Sequence, residues 1–314
     1  MAPLTSTMIT QLNNSNAAMQ RAQAGTLLGR LDPAGYVFYV DGNFGLDTND
    51  GLSWGTPFKT LTVALAASAT AIASGAFGWA ARNTIYCKAD TFTEDLVLLA
   101  PKTDVIGVGS YDQWAQCGLI GNHVPTGTTA SYGTRFYNFY MRAPAAGGDI
   151  WTLDSTCSSF GLFGCVIDSQ SSVAATAGIV TAASPYLHLG NNEFRGKFSD
   201  STIEIGTGDA RGLRIVDNYI ESAGDGIELL SGTTDSAGAT EQYMEISGNK
   251  IISATIGIND ASSLAYIEGN RVFTANAKGL NGAGAIVGSL ARGQANRITA
   301  SDANNAEWPA LGAL

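Results

Sequence analysis

Leu187-His188-Leu189-Gly190-Asn191-Asn192 states a phrase that returns four more times. It comes back as Leu213-Arg214-Ile215-Val216-Asp217-Asn218, as Met244-Glu245-Ile246-Ser247-Gly248-Asn249 and as Ala265-Tyr266-Ile267-Glu268-Gly269-Asn270. A looser copy is Ala291-Arg292-Gly293-Gln294-Ala295-Asn296. The order is apolar, any residue, apolar, two residues, asparagine. The asparagines step by 26, 31, 21 and 26 residues (218−192, 249−218, 270−249, 296−270). A repeat of this length belongs to a solenoid, a propeller or an array.

Each phrase alternates apolar and polar, which describes a short strand with one face buried. A second strand follows in most repeats: Thr202-Ile203-Glu204-Ile205, Gly226-Ile227-Glu228-Leu229, Gly257-Ile258-Asn259 and Ala285-Ile286-Val287. The period of 2 disfavours helical solenoids, whose period is 3.6. A propeller needs four strands per blade and about 40 residues. Two or three short strands per irregular repeat, with glycine and asparagine between them, describe one coil of a parallel β-helix. The asparagine is expected to take the left-handed conformation at a corner, and its amide to bond to the asparagine stacked above it.

The bulk composition agrees. The 314 residues are 45% apolar and only 14% charged, with 38 glycines, which suits one elongated domain of stacked strands and tight corners. The net charge of −10 disfavours a nucleic-acid partner, which calls for a basic patch. Cys87, Cys117, Cys157 and Cys165 form no CxxC pair and read as small buried apolar residues. Two histidines, His123 and His188, give little to a metal centre. No run of 18 apolar residues is present, so no membrane insertion is expected. The N-terminus has neither a charged n-region nor an apolar h-region and does not read as a secretory signal.

Residues 5–24 read as a helix, with Met8, Leu12, Met19 and Ala22 on one stripe and Gly25 at its end. This arm (1–35) packs on its own domain, bundles in a trimer or anchors the chain to a partner. After it come Tyr39-Val40-Asp41-Gly42-Asn43, Gly45, Asp47, Asn49 and Gly51, then Thr56-Pro57-Phe58-Lys59-Thr60-Leu61 leading into Ala64-Leu65. The sequence continues with Asn83-Thr84-Ile85-Tyr86-Cys87, Phe92-Thr93-Glu94, Leu96-Val97-Leu98 and Val105-Ile106-Gly107-Val108-Gly109. This stretch resembles the N-terminal part of pectin-lyase-like right-handed parallel β-helix proteins. In that superfamily a strand ending in Tyr-Val-Asp precedes a Gly/Asp/Asn-rich turn and a Pro-Phe-Lys-Thr-Leu helix that caps the solenoid. The family's usual Gly-Tyr-x-Glu is here Thr91-Phe92-Thr93-Glu94, with Phe for Tyr and no Gly.

The resemblance covers roughly residues 36–300 and implies an all-β fold, a right-handed parallel β-helix with an N-terminal helix and a capping segment over 36–80. Thr56 and Pro57 suit the N-cap and first turn of the capping helix, with an Ala-rich run over 61–74. The end of a solenoid needs such a cap because it exposes unpaired backbone and core. Asp41, Asn43, Asp47, Asn49 and Asp50 supply the oxygens for a calcium site, but Leu52 stands where an EF-hand needs glycine, and turn chemistry is favoured; no other metal or cofactor is expected. Residues 111–150 are aromatic and irregular, a long loop or an early coil. Phe160-Gly161-Leu162-Phe163-Gly164-Cys165 repeats the phrase with cysteine in the asparagine slot, so the regular coils begin before residue 160. The tail 301–314 loses periodicity and caps the far end or docks on a neighbouring chain.

Stacking the phrases generates columns of outward side chains about 4.8 Å apart. The first reads His188, Arg214, Glu245, Tyr266, Arg292; Arg214 and Glu245 would pair, and His188, Arg214 and Tyr266 are candidate substrate-binding residues. The second sets Ile203, Ile227 and Ile258 in register and stacks Glu204, Glu228 and Asn259 outside, with Asp225 just before. Two carboxyls held roughly 5 Å apart match a retaining glycosidase, and their mutual repulsion raises one pKa, as an acid catalyst needs. Glu204, Glu228 and Asp225 are therefore the candidate catalytic residues, weighed against a plain acidic stripe.

Three functions follow as expectations. The first is a virion structural protein of a bacteriophage, a tail spike or head decoration, trimeric. It would be joined to other virion proteins through the N-terminal arm and would present its surface to host polysaccharide or a neighbouring subunit. It rests on the resemblance, because β-helices of this kind are common in phage spikes and fold alone does not fix function. The second is a polysaccharide-degrading enzyme, and the third an extracellular bacterial glycan-binding protein.

Overall fold

The computed structural model describes residues 35–75, 80–109, 117–125, 131–169, 174–182, 184–234, 244–262 and 265–274, with the backbone of Leu280–Gly282 and Arg297–Ala300. The expected helix over 5–24, the fifth phrase ending at Asn296 and the tail 301–314 lie outside the described residues. Every strand pairing among the described residues is parallel. The strands form two nine-stranded sheets, one six-stranded sheet and a small two-stranded one. The chain visits the three large sheets in rotation. Gly161–Phe163 lies in the first, Val166–Ser169 in the second and Ile179–Thr181 in the third. His188–Gly190, Glu193–Gly196 and Ile203–Ile205 repeat the circuit, as do Arg214–Val216, Tyr219–Ser222 and Ile227–Leu229. Inward residues of all three sheets join one apolar cluster. The architecture is thus all-β, made of long parallel sheets with a repeating path and, among the described residues, one α-helix.

The phrases fall in the first sheet and the second-strand motifs in the third. The second sheet follows each asparagine, where the sequence offers only one buried apolar residue per strand: Phe194, Ile220, Ile251 and Val272. In the circuit after Ile258–Asp260 the third-sheet position belongs to Leu280–Gly282. The strand expected at 285–287 lies outside the described residues.

The corner between first and second sheets sets the register. From Gly161 onward it always has two residues: 164–165, 191–192, 217–218, 248–249 and 269–270. The link from third sheet back to first varies instead, with four (261–264), six (182–187), eight (206–213) or fourteen (230–243) residues. The second corner residue is the repeated asparagine, at most 2% exposed at positions 192, 218, 249 and 270. Asn192 Nδ2 donates to Asn218 Oδ1 at 3.0 Å, Asn218 to Asn249 at 3.0 Å, and Asn249 to Asn270 at 2.9 Å. Each acceptor oxygen also takes the backbone N–H of the asparagine before it, at 2.9 Å. Each Nδ2 reaches back to a first-sheet carbonyl, of Leu162, Leu189, Ile215 and Ile246 in turn. At the Cys165 corner the backbone N–H still donates to Asn192 Oδ1 at 3.0 Å, but the thiol makes no amide bond onward. One expectation is corrected: the left-handed residue is the one before the asparagine. Asn191 (φ 54°), Asp217 (57°), Gly248 (70°) and Gly269 (65°) all lie there. A Cβ on Gly248 would also fall 2.2 Å from Asp217 Oδ1, so that position needs glycine twice over.

At the other end Leu61–Ala73 forms the helix and buries Leu61, Ala64, Leu65 and Ser68 in the core face. Its N-cap is Thr60, not Thr56. Thr56 and Pro57 precede the helix, and Phe58 bridges to Val40 beside the first strand, Val37–Val40. Glu94 completes the cap from a distant strand end. Its carboxylate accepts the N–H groups of Leu61 and Thr62, both at 2.9 Å, and the Thr62 hydroxyl at 2.6 Å. A negative charge at the positive end of the helix is favourable. Of the aromatic region 111–150, the described residues 117–125 and 131–150 belong to early circuits. Phe136, Phe139, Trp151 and Phe160 are fully buried and pack on one another at 5.0–6.0 Å. All four cysteines are buried and free, and burial pushes the Cys165 thiol up to about 12.

Two stability outcomes follow. Asn218→Ala strips partners from buried amides on both neighbouring circuits, at about 1–3 kcal/mol per unmet group. The expected loss in equilibrium urea unfolding is at least about 3 kcal/mol; a loss under 1 kcal/mol would deny the ladder its role. Glu94→Ala removes the charged cap and is expected to cost about 1–2 kcal/mol by the same measurement.

Candidate functional site

The outer face of the third sheet carries the second column. Pairing sets Thr152 beside Val180, Val180 beside Glu204, Glu204 beside Glu228, and Glu228 beside Asn259. Alternation puts these side chains outside because their neighbours Ile179, Ile203, Ile227 and Ile258 are buried. Glu228 is held on both sides. Ser201 Oγ donates to its Oε2 at 2.6 Å and Asn259 Nδ2 to its Oε1 at 3.1 Å. Glu204 faces a different setting. Burial, then the charges of Glu228, Asp200 and Asp149, raise its carboxyl above the ordinary range.

Glu204 also edges a cavity of about 360 Å³ at the ends of the third-sheet strands. Its walls are largely apolar, from Val124, Pro125, Leu153, Val180, Ala182 and Leu230. Thr181, 1% exposed, lines it too, and its hydroxyl has no hydrogen-bond partner. Buried hydroxyls are normally satisfied. Asp154, also in the wall, is committed to the turn, accepting Thr156 N at 2.9 Å and Thr156 Oγ1 at 2.6 Å.

Of the expected catalytic residues, Glu204 and Glu228 are in-register neighbours. Asp225 is spent locally: its Oδ1 accepts the Thr255 hydroxyl and the Ile256 N–H, tying two circuits together. The residues expected to bind substrate lie on another face, the first sheet. There His188, Arg214, Glu245 and Tyr266 stand in register. Arg214 Nε pairs with Glu245 Oε2 at 2.9 Å, and the Tyr266 hydroxyl donates to Glu268 at 2.7 Å. His188 packs edge-on against Phe163 at 4.7 Å, and burial with Arg214 and Arg135 nearby lowers its pKa. Arg214, Glu245 and Tyr266 are thus already engaged within the first sheet.

The oxygen-rich loop is used as turn scaffold. Asp41 Oδ1 accepts the N–H groups of Asn43 and Phe44, and its Oδ2 takes Lys88 Nζ at 2.7 Å. Asp47 Oδ1 accepts Lys59 N and Thr60 N, and Asp50 Oδ1 accepts Leu52 N and Thr56 Oγ1. Among the described residues, no group of three or more His, Cys, Asp or Glu is arranged to hold a metal ion.

Sequence reasoning did not find Thr181, Ser201, Asp149 or Asp200. Thr181 sits at an inward position of its strand, where a polar residue among isoleucines and leucines was the available signal. The other three lie in or beside connections without repeating pattern. Comparison with protein-family models, with curated proteins and with solved structures gives no match.

The raised carboxyl has a signed consequence. A folded-state pKa above the unfolded value gives stability that is full below the ordinary carboxylate range and is lost as pH rises through the raised pKa. Glu204→Gln is therefore expected to melt higher than the parent at neutral pH, with the gap closing in acid. Calorimetric melting temperatures across pH check this, and a gap that stays constant with pH denies the repulsion.

Proposed function

We propose that the three sheets close into a right-handed parallel β-helix of the pectin-lyase-like kind, and that this protein acts at the surface of a virus particle. In this reading it is a tail spike or head decoration, and the outer face of the third sheet contacts host surface polysaccharide. One observation carries the contact: a cavity with largely apolar walls, edged by the Glu204 carboxylate, on a stack of parallel strands. Sugars present apolar C–H faces and many hydroxyls, and sites for them combine apolar walls with a few placed polar groups. The rotation of the chain through three parallel sheets and the helix at one end support closure. The virion setting is supported by the resemblance over residues 36–300, with the N-terminal arm as the anchor.

A second reading, hydrolysis, is favoured by the register of Glu204 and Glu228. The raised carboxyl would protonate the leaving oxygen while its charged neighbour attacks or stabilises the sugar cation.

A glycan array probed with the purified protein, alongside light scattering, tests the first reading. Expected are binding to bacterial surface polysaccharides and a trimer mass that falls on deletion of residues 1–30. A monomer blank on every glycan overturns it. Release of reducing ends, lost in both Glu204→Gln and Glu228→Gln, would establish hydrolysis; binding without release would leave a pure receptor-contact role.

A further inference from the structure

We propose that His123 is an acid-operated release: its protonation loosens the circuits that lie between the helical cap and the asparagine ladder. The ring is fully buried where three segments meet. The main chain of His123 is pinned beside the strand Trp151–Leu153. Its N–H donates to Ile150 O and its carbonyl accepts Thr152 N, both at 2.9 Å. The ring packs on Trp151 at 4.4 Å, and Trp151 packs in turn on Phe136 and Phe160. Its Nδ1 accepts the N–H of Leu96 at 3.2 Å. An acceptor at Nδ1 places the ring proton on Nε2, and Nε2 has no hydrogen-bond partner.

The neutral ring fits this place and the imidazolium does not. A second proton goes on Nδ1, where it faces the Leu96 N–H, so donor meets donor and the link to residues 94–100 is lost. It also places a charge away from water, with no acceptor at Nε2. The neighbouring charges do not offset this. Asp95 favours the proton, but less than burial opposes it, and its Oδ1 already accepts Asn122 N at 2.9 Å. Glu94 is bound at the start of the helix, Asp149 takes the Thr152 hydroxyl and Asp154 holds its own turn. Arg142 meets this region through its carbonyl, which accepts Gly121 N.

Position gives the release its direction. Leu96 follows Glu94, whose carboxylate caps the helix, so the freed segment leads to the cap. The circuits from Asn192 onward are joined at their corners by amides, which do not titrate. A base whose folded pKa is depressed contributes stability that is full above its unfolded pKa and lost as pH falls. For His123 that window runs from 6.5 down to about 3. Within it the ratio of closed to open chain falls about tenfold per pH unit. His188 is the other histidine of the chain; it is half-buried on the outer face of the first sheet and also lowered in pKa, so it serves as the control.

The test is hydrogen exchange followed by mass spectrometry on the full chain at pH 7 and pH 5, corrected for intrinsic exchange rates. Residues 94–100 and 117–123 are expected to lose protection about twentyfold or more at pH 5, while residues 213–229 change less than about threefold. His123→Gln, neutral at every pH and still carrying an acceptor, should abolish the regional loss, and His188→Gln should keep it. Circular dichroism establishes that both variants are folded. Nitrogen-labelled histidine read by NMR in the parent gives a second measurement that needs no variant: the His123 imidazole should stay neutral at pH 5. Equal protection changes in the two regions, a loss that persists in folded His123→Gln, or two imidazoles that both titrate near 6.5 overturns the proposal. The outcome is separate from the glycan reading, which none of these measurements touches.

Discussion

Parallel strands stacked circuit on circuit leave one problem that sheet hydrogen bonds do not solve. At each corner the backbone turns away from its neighbours, inside the core boundary, and its polar groups need partners where water is absent. The asparagine corner solves this by repetition. From Asn218 onward each side-chain amide accepts from the circuit before it through both a backbone N–H and a neighbouring amide, and donates back to a first-sheet carbonyl. Because donor and acceptor lie on one planar group, the ladder extends only while every circuit keeps the same corner geometry. The constant two-residue length is that requirement expressed in the chain. The left-handed residue ahead of each asparagine is its other half, turning the backbone sharply enough to point the amide inward.

A corner so constrained frees the rest. The link from third sheet to first absorbs between four and fourteen residues without disturbing register, because the ladder has already fixed where the next circuit begins. The fourteen-residue link even carries an extra pairing, Gly208–Asp209 with Thr233–Thr234, beside the main sheets. The ladder ends at Cys165. The earlier circuits depend instead on volume: four large rings, of Phe136, Phe139, Trp151 and Phe160, fill the interior where no amide column runs. His123 joins them, packed on Trp151 at 4.4 Å, and burial drives its pKa to about 3, so it sits there neutral.

Much of this was legible in the sequence because the repeat is a physical template. Alternation names the inward residues, and the recurring asparagine marks the corner. Together they place Glu204 against Glu228 and Arg214 against Glu245 with no other information. The second sheet was harder to read: strands such as Glu193–Gly196 show a single buried residue between charged ones. The helix start was misplaced because Pro57 is a good first-turn residue in isolation, yet Phe58 is drawn into a bridge with Val40. The cavity could not be read at all. Its walls come from residues more than a hundred positions apart, Val124 to Leu230, and from connections whose lengths follow no period.

That division between periodic and aperiodic parts bears on function. Two outward rows were visible as candidates, and composition alone would rank the first higher, since it holds histidine, arginine, glutamate and tyrosine together. The structure separates them by occupancy. In the first-sheet row Arg214 is paired with Glu245 and Tyr266 with Glu268, so a ligand there must first break bonds between exposed groups. On the third sheet Glu228 is likewise held, but Glu204 beside it borders open space and is raised in pKa by burial and by its acidic neighbours. Like charges set this close destabilise the unliganded face, and a ligand that neutralises one of them gains that relief on binding. That repulsion is the electrostatic feature that sets the third-sheet row apart from the paired row on the first sheet.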